Sequence, residues 1–235
     1  MTTNIKGILF DFGRTLFDYF PSRSVVCSRI AKRLGVVISP DDPRIRLGIK
    51  NQIETFVKKG KPFSKLSKKE YRSVTYHVLE TMGIKNEDPF NVIHEEFEKR
   101  RDHYVIYPEV REIIEKIYMM GIKIGLLSNV NSIKAKTRRP IMRENDILHF
   151  FDTIILSDEV NYVKPQKEIF NLALDGIGIK DGSKVIHVGD NLIADAMGAK
   201  NAGLIPILYD PQGFYNSDDN LITIITHSEI LNYLN

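Results

Sequence analysis

The chain has 235 residues, of which 43% are hydrophobic and 27% charged, and its formal net charge is +3. This composition excludes a mainly disordered chain, and no apolar run approaches the ~18 residues of a membrane-spanning helix. The single cysteine, Cys27, excludes an intramolecular disulfide and a multi-cysteine zinc site.

The first part of the chain contains one short apolar segment followed by a long stretch of helical patterns. Residues 5–10 are apolar up to Asp11 and predict a buried strand that ends in a turn. Residues 18–104 contain no convincing strand and four segments with apolar residues at helical spacing. These segments are centred on Val26 to Leu34, Ile45 to Phe56, Tyr71 to Met82 and Phe90 to Phe97. The third of them begins with a capping-box signature at Ser67 and Glu70.

From residue 105 onwards, helix and strand patterns alternate. Strands are predicted at 122–128, 153–157, 185–189, 205–209 and 222–225. Helices are predicted before Gly121, in a stretch interrupted by Pro140, over 166–175, over 192–201 and after Ser228. This alternation, with continuously apolar strands, predicts a parallel sheet that is covered by helices on both faces.

The first strand belongs to the same sheet as the later ones, so the helical stretch after it is an insertion. We therefore predict an α/β protein whose three-layer, Rossmann-like core consists of residues 1–17 and 105–235. Residues 18–104 form an inserted, all-helical domain in this interpretation.

Polar residues follow the predicted strands, and ligands of open parallel sheets bind beyond the carboxyl ends of the strands. The residues at these ends are Asp11 with Gly13, Ser128 with Asn129, Ser157 with Asp158, Gly189 with Asp190, and Asp210. Carboxylates that are brought together repel one another unless a cation lies among them, and oxygen ligands favour a hard cation such as Mg²⁺. The sequence thus predicts a magnesium site at this edge of the sheet.

Four segments resemble the motifs of the haloacid dehalogenase superfamily of aspartate-nucleophile hydrolases. They are ILFDFGRTLFD at 8–18, LLSNV at 126–130, YVKPQKEIF around Lys164 and GDNLIAD at 189–195. The motifs occur in the family order, each at the end of a predicted strand, and nearly the whole chain takes part in the resemblance. A helical cap inserted after the first motif is also a family feature, which implies that 18–104 is such a cap.

The resemblance implies a site for phosphoryl transfer. Asp11 would be the nucleophile and form an aspartyl-phosphate, and Lys164 would hold its carboxylate. Ser128 would donate a hydrogen bond to a phosphoryl oxygen, assisted by the main-chain amide of Asn129. Thr15 is assigned to the substrate-binding turn, as a residue that shapes the turn rather than one that reacts. The implied ligands of Mg²⁺ are Asp11, the Gly13 carbonyl, Asp190 and Asp195.

One position departs from the family pattern. Most phosphatases of the family have a second aspartate two residues after the nucleophile, where this chain has Gly13, and Arg14 follows where glycine is usual. The missing carboxylate protonates the leaving oxygen and then activates water, and positioned acid–base groups contribute about 10²–10⁴-fold. Metal binding need not be lost, because the family uses the main-chain carbonyl at this position. Asp18 is a candidate substitute for the missing carboxylate.

We therefore expect a Mg²⁺-dependent hydrolase of a small phosphorylated metabolite, either a phosphomonoester or an acyl phosphate, with weakened acid–base catalysis. One alternative is a non-catalytic phosphate-binding or regulatory protein on the same fold. Another is a metal-independent 2-haloacid dehalogenase, although the GDxxxxD pattern at 189–195 argues against it. A phosphonate-cleaving enzyme is a further alternative, but it requires a particular cap lysine that the sequence does not identify.

The expected partners follow from composition. The chain carries no recognisable nucleic-acid-binding module, and its N-terminal residues lack the pattern of a secretory signal, so we expect neither nucleic acid nor a membrane as a partner. One cysteine in 235 residues is typical of a reducing, cytoplasmic location. We expect a monomer or a homodimer.

Overall fold

The computed structural model describes residues 4–59, 78–85, 89–99, 104–130, 135–215 and 221–234. The chain divides into two compact units. The first consists of Met1–Asp18 and Ile106–Asn235, and the second consists of Tyr19–Val105.

The first unit is built on a parallel sheet. The strands of the chain are β1 (Gly7–Phe10), β2 (Phe17–Tyr19), β3 (Tyr104–Ile106), β4 (Lys123–Ser128), β5 (Thr153–Leu156), β6 (Val185–Gly189), β7 (Ile205–Tyr209) and β8 (Ile222–Ile224). Six of them form one sheet in the order β5-β4-β1-β6-β7-β8, and every neighbouring pair is parallel. β2 and β3 pair as a separate two-stranded sheet.

β1 lies in the middle of the sheet because it is apolar on both faces. All four of its residues are buried, as are all five residues of β6. Ile8 pairs with Ile124 of β4 on one side and with Ile186 of β6 on the other. Strands that are buried on both faces have this continuous apolar character, in contrast to the alternating pattern of half-exposed strands.

Helices cover both faces of the sheet. The α-helices are α1 (Arg23–Arg33), α2 (Pro43–Lys59), α3 (Phe90–Glu98), α4 (Val110–Met119), α5 (Ala135–Glu144), α6 (Lys167–Gly176) and α7 (Gly198–Ala202). A π-helical segment, Leu192–Met197, precedes α7, and a 3₁₀ helix, His227–Tyr233, follows β8. The strand order reverses at β1, so right-handed connections place α4 and α5 on one face and α6 and α7 on the other.

The packing of α4 and α6 follows their apolar stripes. α4 buries four apolar residues that recur at helical spacing, Val110, Ile113, Ile114 and Ile117. α6 buries Ile169, Phe170, Ala173 and Leu174 in a cluster with Leu9 of β1 and Leu127 of β4. Gly121 follows α4 with a φ of 73°, the left-handed conformation that ends a helix most readily at glycine.

The second unit is helical in its described part, apart from the strand residues at its two ends. α1 buries Val26, Cys27, Ile30 and Ala31 and packs against α2 and α3. Arg33 at the end of α1 forms ion pairs with Glu95 and Glu96 of α3, at 2.7 and 2.9 Å.

The predicted fold class is confirmed, with two differences in detail. The sequence patterns missed β2 and β3, because three-residue strands are too short to show a period. Pro140 lies inside α5 and does not interrupt it. Proline removes one hydrogen bond from the helix, but the buried Met142 keeps the helix packed. The capping box at Ser67 and Glu70 lies outside the described residues.

Within the described residues, no helix combines the length and apolarity needed to cross a bilayer.

The core of the first unit gives a direct stability test. Replacing Ile114, which is 1% exposed, by alanine is expected to lower the free energy of unfolding by about 2–5 kcal/mol, because the truncated side chain leaves a cavity. Met119→Ala on the same helix, at a position 79% exposed, is the matched control and should change it by about 0.5 kcal/mol or less. Urea unfolding of both variants measures this difference, and equal effects would contradict the packing described for α4.

Candidate active site

The predicted site residues lie at the middle of the sheet's carboxyl edge. Asp11 directly follows β1, which lies between β4 and β6. Ser128 ends β4 on one side of it, and Asp190 follows β6 on the other. Ligands of open α/β sheets bind at such a point, where the strand order reverses.

Lys164 is the centre of a buried charge cluster. Its side chain is 2% exposed, and Nζ donates to Asp11 Oδ1 at 2.7 Å, to Asp195 Oδ1 at 2.5 Å and to the Leu127 carbonyl at 2.7 Å. These acceptors use all three protons of the ammonium group. Burial alone lowers the pKa of Lys164, but the two carboxylates outweigh it and the net pKa is raised. Lys164 is therefore a fixed cation beside Asp11.

Asn129 fixes the main chain of Lys164. Its Oδ1 accepts the Lys164 N–H at 2.8 Å, and its Nδ2 donates to the Lys164 carbonyl at 2.9 Å. Because Asn129 directly follows β4, this pair of hydrogen bonds ties the lysine to the sheet. This role of the side chain was not predictable, since the two residues are 35 positions apart and no local sequence pattern links them.

Asp195 accepts hydrogen bonds on both of its oxygens. Oδ1 accepts from Lys164 and lies 3.0 Å from His187 Nε2, and Oδ2 accepts the Asn191 N–H at 3.0 Å. Burial opposes ionisation, but the charge of Lys164 and these hydrogen bonds hold the pKa of Asp195 below its usual range. Glycine is needed at position 189, because a Cβ there would lie 2.2 Å from Asp195 Cγ.

His187 of β6 is buried in the sheet and also makes a polar contact with Asp195. Burial lowers the pKa of its imidazole, so the neutral ring donates Nε2–H to Asp195. The ring stands edge-on to Phe170 at a centroid distance of 5.3 Å. Its neighbours on both sides in the chain, Ile186 and Val188, are apolar, which is why the local pattern indicated only a core residue.

Asp190 is paired with Arg14. Arg14 Nη2 lies 3.0 Å from Asp190 Oδ2, and the two side chains are 41% and 14% exposed. Arg14 has a φ of 61°, in the left-handed region where residues other than glycine are strained. Burial raises the pKa of Asp190 to about 7, although Arg14 acts in the opposite direction. The only signal for this pair was an arginine at a position where the resembling family has glycine.

The remaining predicted residues lie around this cluster. Ser128 is buried, and its Oγ makes a long contact of 3.5 Å with the Asn129 carbonyl. Gly13 is half-buried in the turn after Asp11 and forms an isolated bridge with Phe17. Thr15 is fully buried, and within the described residues its Oγ1 has no hydrogen-bond partner. Its hydroxyl therefore has no exposed surface to offer a ligand.

Two other strand-end residues stabilise loops. Ser157 Oγ accepts the Val130 N–H at 2.8 Å, and Asp210 Oδ2 accepts the Tyr215 N–H at 2.7 Å. Both side chains are thus used in the local structure of their loops.

The donor set of the cluster fits a hard divalent cation. Asp11, Asp190 and Asp195 each offer a carboxylate oxygen, and these oxygens lie within 4.8 Å of one another. Oxygen-only donors at this spacing suit Mg²⁺. Asp195 is the least available of the three, because both of its oxygens already accept hydrogen bonds from the protein.

Comparison with known proteins gives one family over most of the chain. The family model described as haloacid dehalogenase-like hydrolase matches residues 5–203. Pyrimidine 5′-nucleotidase YjjG of Escherichia coli is 38% identical over 82 residues, which are 35% of each chain. A glyceraldehyde 3-phosphate phosphatase of Methanothermobacter thermautotrophicus is 34% identical over 45% of each chain, so the chain spans less than half the length of these two relatives.

Longer matches are more distant in sequence. The glyceraldehyde 3-phosphate phosphatase of Pyrococcus abyssi is 28% identical over 85% of this chain and 79% of its own. Among solved structures, the HAD hydrolase YfnB from Bacillus subtilis, bound to magnesium, has a TM-score of 0.69 at 19% identity and covers 99% of both chains. A 2-haloacid dehalogenase from Pseudomonas syringae has a TM-score of 0.56 at 24% identity and covers 98% of both. At these identities, the structural matches establish the fold.

The raised pKa of Asp190 predicts an unusual dependence of stability on pH in metal-free buffer. An acid whose pKa is about 7 when folded and near 4 when unfolded binds more protons in the native state between these values. The contribution of Asp190 to the free energy of unfolding should therefore fall as pH rises from 4 to 8. Asp190→Asn removes this titration, so it should stabilise the protein by a few kcal/mol more at pH 8 than at pH 5.

Urea unfolding in EDTA at the two pH values measures this difference. Asp175→Asn, which changes an exposed aspartate on α6, is the matched control and should show no such difference. A gain for Asp190→Asn that is the same at both pH values would show that burial does not raise the pKa of Asp190.

Proposed function

The chain belongs to the haloacid dehalogenase-like hydrolases, and on that premise we propose that it is a Mg²⁺-dependent phosphatase that acts through an aspartyl-phosphate. The observation that carries the proposal is the buried contact of 2.7 Å between Lys164 Nζ and Asp11 Oδ1 at the carboxyl edge of the sheet. The relatives named as phosphatases support the same reaction type.

Asp11 is the proposed nucleophile. Lys164 holds Oδ1, so Oδ2 attacks phosphorus while the bond between phosphorus and the leaving oxygen breaks and that oxygen takes the electron pair. Lys164 orients the Asp11 carboxylate and offsets negative charge on the phosphoryl group. Ser128 and the Asn129 main-chain amide are proposed to donate to phosphoryl oxygens. Water then attacks the aspartyl-phosphate, which releases phosphate and restores the Asp11 carboxylate.

Asp11, the Gly13 carbonyl and Asp190 are the proposed ligands of Mg²⁺. When bound, the ion neutralises charge on the phosphoryl oxygens during transfer. We propose that Asp195 supports the metal site through Lys164, because its oxygens are occupied by Lys164, His187 and Asn191.

Gly13 limits the reaction at its two proton transfers. It offers no carboxyl group to protonate the leaving oxygen or to take a proton from the attacking water. Substrates whose leaving group needs no proton, such as aryl and acyl phosphates, avoid the first of these difficulties. The second remains, so hydrolysis of the aspartyl-phosphate is the slow step in this proposal.

The two parts of the chain have different proposed roles. We assign catalysis to residues 1–17 and 105–235, which contain every residue of the site. Residues 18–104 are assigned as a helical cap that selects the substrate. The proposed substrate is a small phosphorylated metabolite, in line with the phosphatase names of the relatives. The presence of a single, buried cysteine, Cys27, is compatible with the proposed cytoplasmic location.

Burst kinetics test the proposed reaction. With p-nitrophenyl phosphate and Mg²⁺, we expect a rapid release of nitrophenolate about equal to the amount of protein, followed by slower steady turnover. The burst arises because nitrophenolate leaves without a proton, whereas hydrolysis of the aspartyl-phosphate lacks a base. Asp11→Asn should abolish both phases, and Asp175→Asn is the matched control that should retain them. Stopped-flow absorbance measures the phases.

Three further assays distinguish this proposal from other readings of the site. Halide release from a 2-haloacid that persists in EDTA would replace the phosphatase with a dehalogenase. Failure of acetyl phosphate and p-nitrophenyl phosphate to label Asp11 would favour a non-catalytic protein. Steady turnover of alkyl phosphates without a burst would contradict the assignment of a slow second step.

The ion pair between Arg14 and Asp190 predicts the effect of Arg14 on metal affinity. Mg²⁺ and the guanidinium compete for the same carboxylate, and a partly exposed ion pair contributes up to about 1 kcal/mol. Arg14→Gly should therefore bind Mg²⁺ about two- to fivefold more tightly, measured by calorimetry. It also relieves the left-handed backbone strain at this position.

Arg111→Ala is the matched control, since this arginine pairs with Glu115 and Asp146 instead of the site carboxylates. It removes one positive charge from the same unit and should leave the Mg²⁺ affinity unchanged. Weaker binding in Arg14→Gly would show that Arg14 supports the metal site and does not compete with it.

A further inference from the structure

The segment that carries the proposed nucleophile is held from the far end of the chain. We call residues 11–16 the Asp11 loop. Its first residue donates its main-chain N–H to the Val188 carbonyl of β6 at 2.9 Å. Near its other end, the Thr15 carbonyl lies 2.6 Å from Nε2 of His227, a residue 212 positions later.

His227 is buried with an oxygen atom facing each of its ring nitrogens. Nε2 faces the Thr15 carbonyl, and Nδ1 lies 3.2 Å from Oε1 of Glu109. A carbonyl oxygen only accepts hydrogen bonds, so Nε2 is the donor in the contact with Thr15. The contact of Nδ1 with Glu109 holds the ring from its other side.

Aromatic rings restrict the imidazole on its other sides. The Tyr209 ring centroid lies 4.3 Å from that of His227, and the Tyr107 centroid lies 5.4 Å away. The titratable side chains in contact with the ring are thus Glu109, Tyr107 and Tyr209. Packing against these two rings leaves the imidazole little room to rotate away from Thr15.

The element that carries His227 is itself fixed in place. His227 begins the last 3₁₀ helix, whose N-terminus is closed by a capping box formed by Thr226 and Glu229. Ile230 of the same helix is fully buried. The His227 main-chain N–H also lies 3.3 Å from Glu109 Oε1, at the start of α4. The donor to Thr15 is therefore anchored independently of the loop that it holds.

We propose that His227 is a positioning residue that fixes the Asp11 loop through the Thr15 carbonyl. This role rests on the proposed function, in which Asp11 is the nucleophile, but it concerns the position of the loop and can be measured without turnover. If the loop could move at Thr15, Asp11 would spend less time in its position beside Lys164 and Asp190. The expected loss is in the rate of reaction and not in the binding of substrate.

Two substitutions separate the hydrogen bond from simple packing. His227→Phe keeps a ring of similar size and removes both donors. His227→Gln restores a nitrogen donor for the Thr15 carbonyl without restoring the ring. His149→Phe, which changes an exposed histidine in the same unit, is the matched control.

Hydrogen–deuterium exchange of the peptide that contains residues 8–17 is the primary measurement. We expect exchange of the loop amides to be about tenfold faster in His227→Phe, with most of the protection restored in His227→Gln and no change in His149→Phe. With p-nitrophenyl phosphate, kcat should fall in His227→Phe while KM stays within about twofold, and His227→Gln should recover most of kcat.

Unchanged loop exchange in His227→Phe would overturn the proposal. Equal exchange in His227→Phe and His227→Gln would also overturn it, because the ring and not the donor would then determine the effect. If the wild-type protein shows no turnover while the exchange pattern is as expected, the phosphatase proposal fails and the positioning of the loop by His227 stands.

Discussion

A buried lysine between two carboxylates is the constraint on which the rest of the site depends. An ammonium group removed from water is stable only if its protons are accepted and its charge is offset. Asp11, Asp195 and the Leu127 carbonyl satisfy both needs of Lys164. Removing any one of them would leave the buried ammonium group without one of its partners, so Asp11, the sheet and the lysine are fixed together.

The balance of charge in the site follows from positions 13 and 14. Three carboxylates, those of Asp11, Asp190 and Asp195, face two cations, Lys164 and Arg14. The usual family pattern, with aspartate at 13 and glycine at 14, would add one negative charge and remove one positive charge. The cluster of this chain is therefore less negative by two charges. It attracts a divalent cation less strongly and tolerates the negative charge of a phosphoryl group better.

Features that follow from local patterns were predictable from the sequence, and those that depend on distant side chains were not. The continuous apolar strands identified β1 and β6, and the polar residues after them identified the edge where Asp11 and Asp190 meet. The hydrogen bonds of Asn129 to the Lys164 main chain could not be predicted from the sequence, because the two residues do not lie on the same helix or strand. The same is true of His187, whose apolar neighbours indicated only burial.

The Asp11 loop shows why such long-range contacts are needed. From Tyr19 onwards the chain belongs to the second compact unit. The Arg14 N–H donates to the Phe17 carbonyl and the Leu16 N–H to the Phe12 carbonyl, so these bonds shape the loop locally. Residues far along the chain then fix the loop to the rest of the first unit. Val188 of β6, Lys164 and His227 each contact it from a different element of the first unit. Because each contact fixes a different point between Asp11 and Thr15, the direction of the Asp11 carboxylate is set within that unit, independently of the inserted residues.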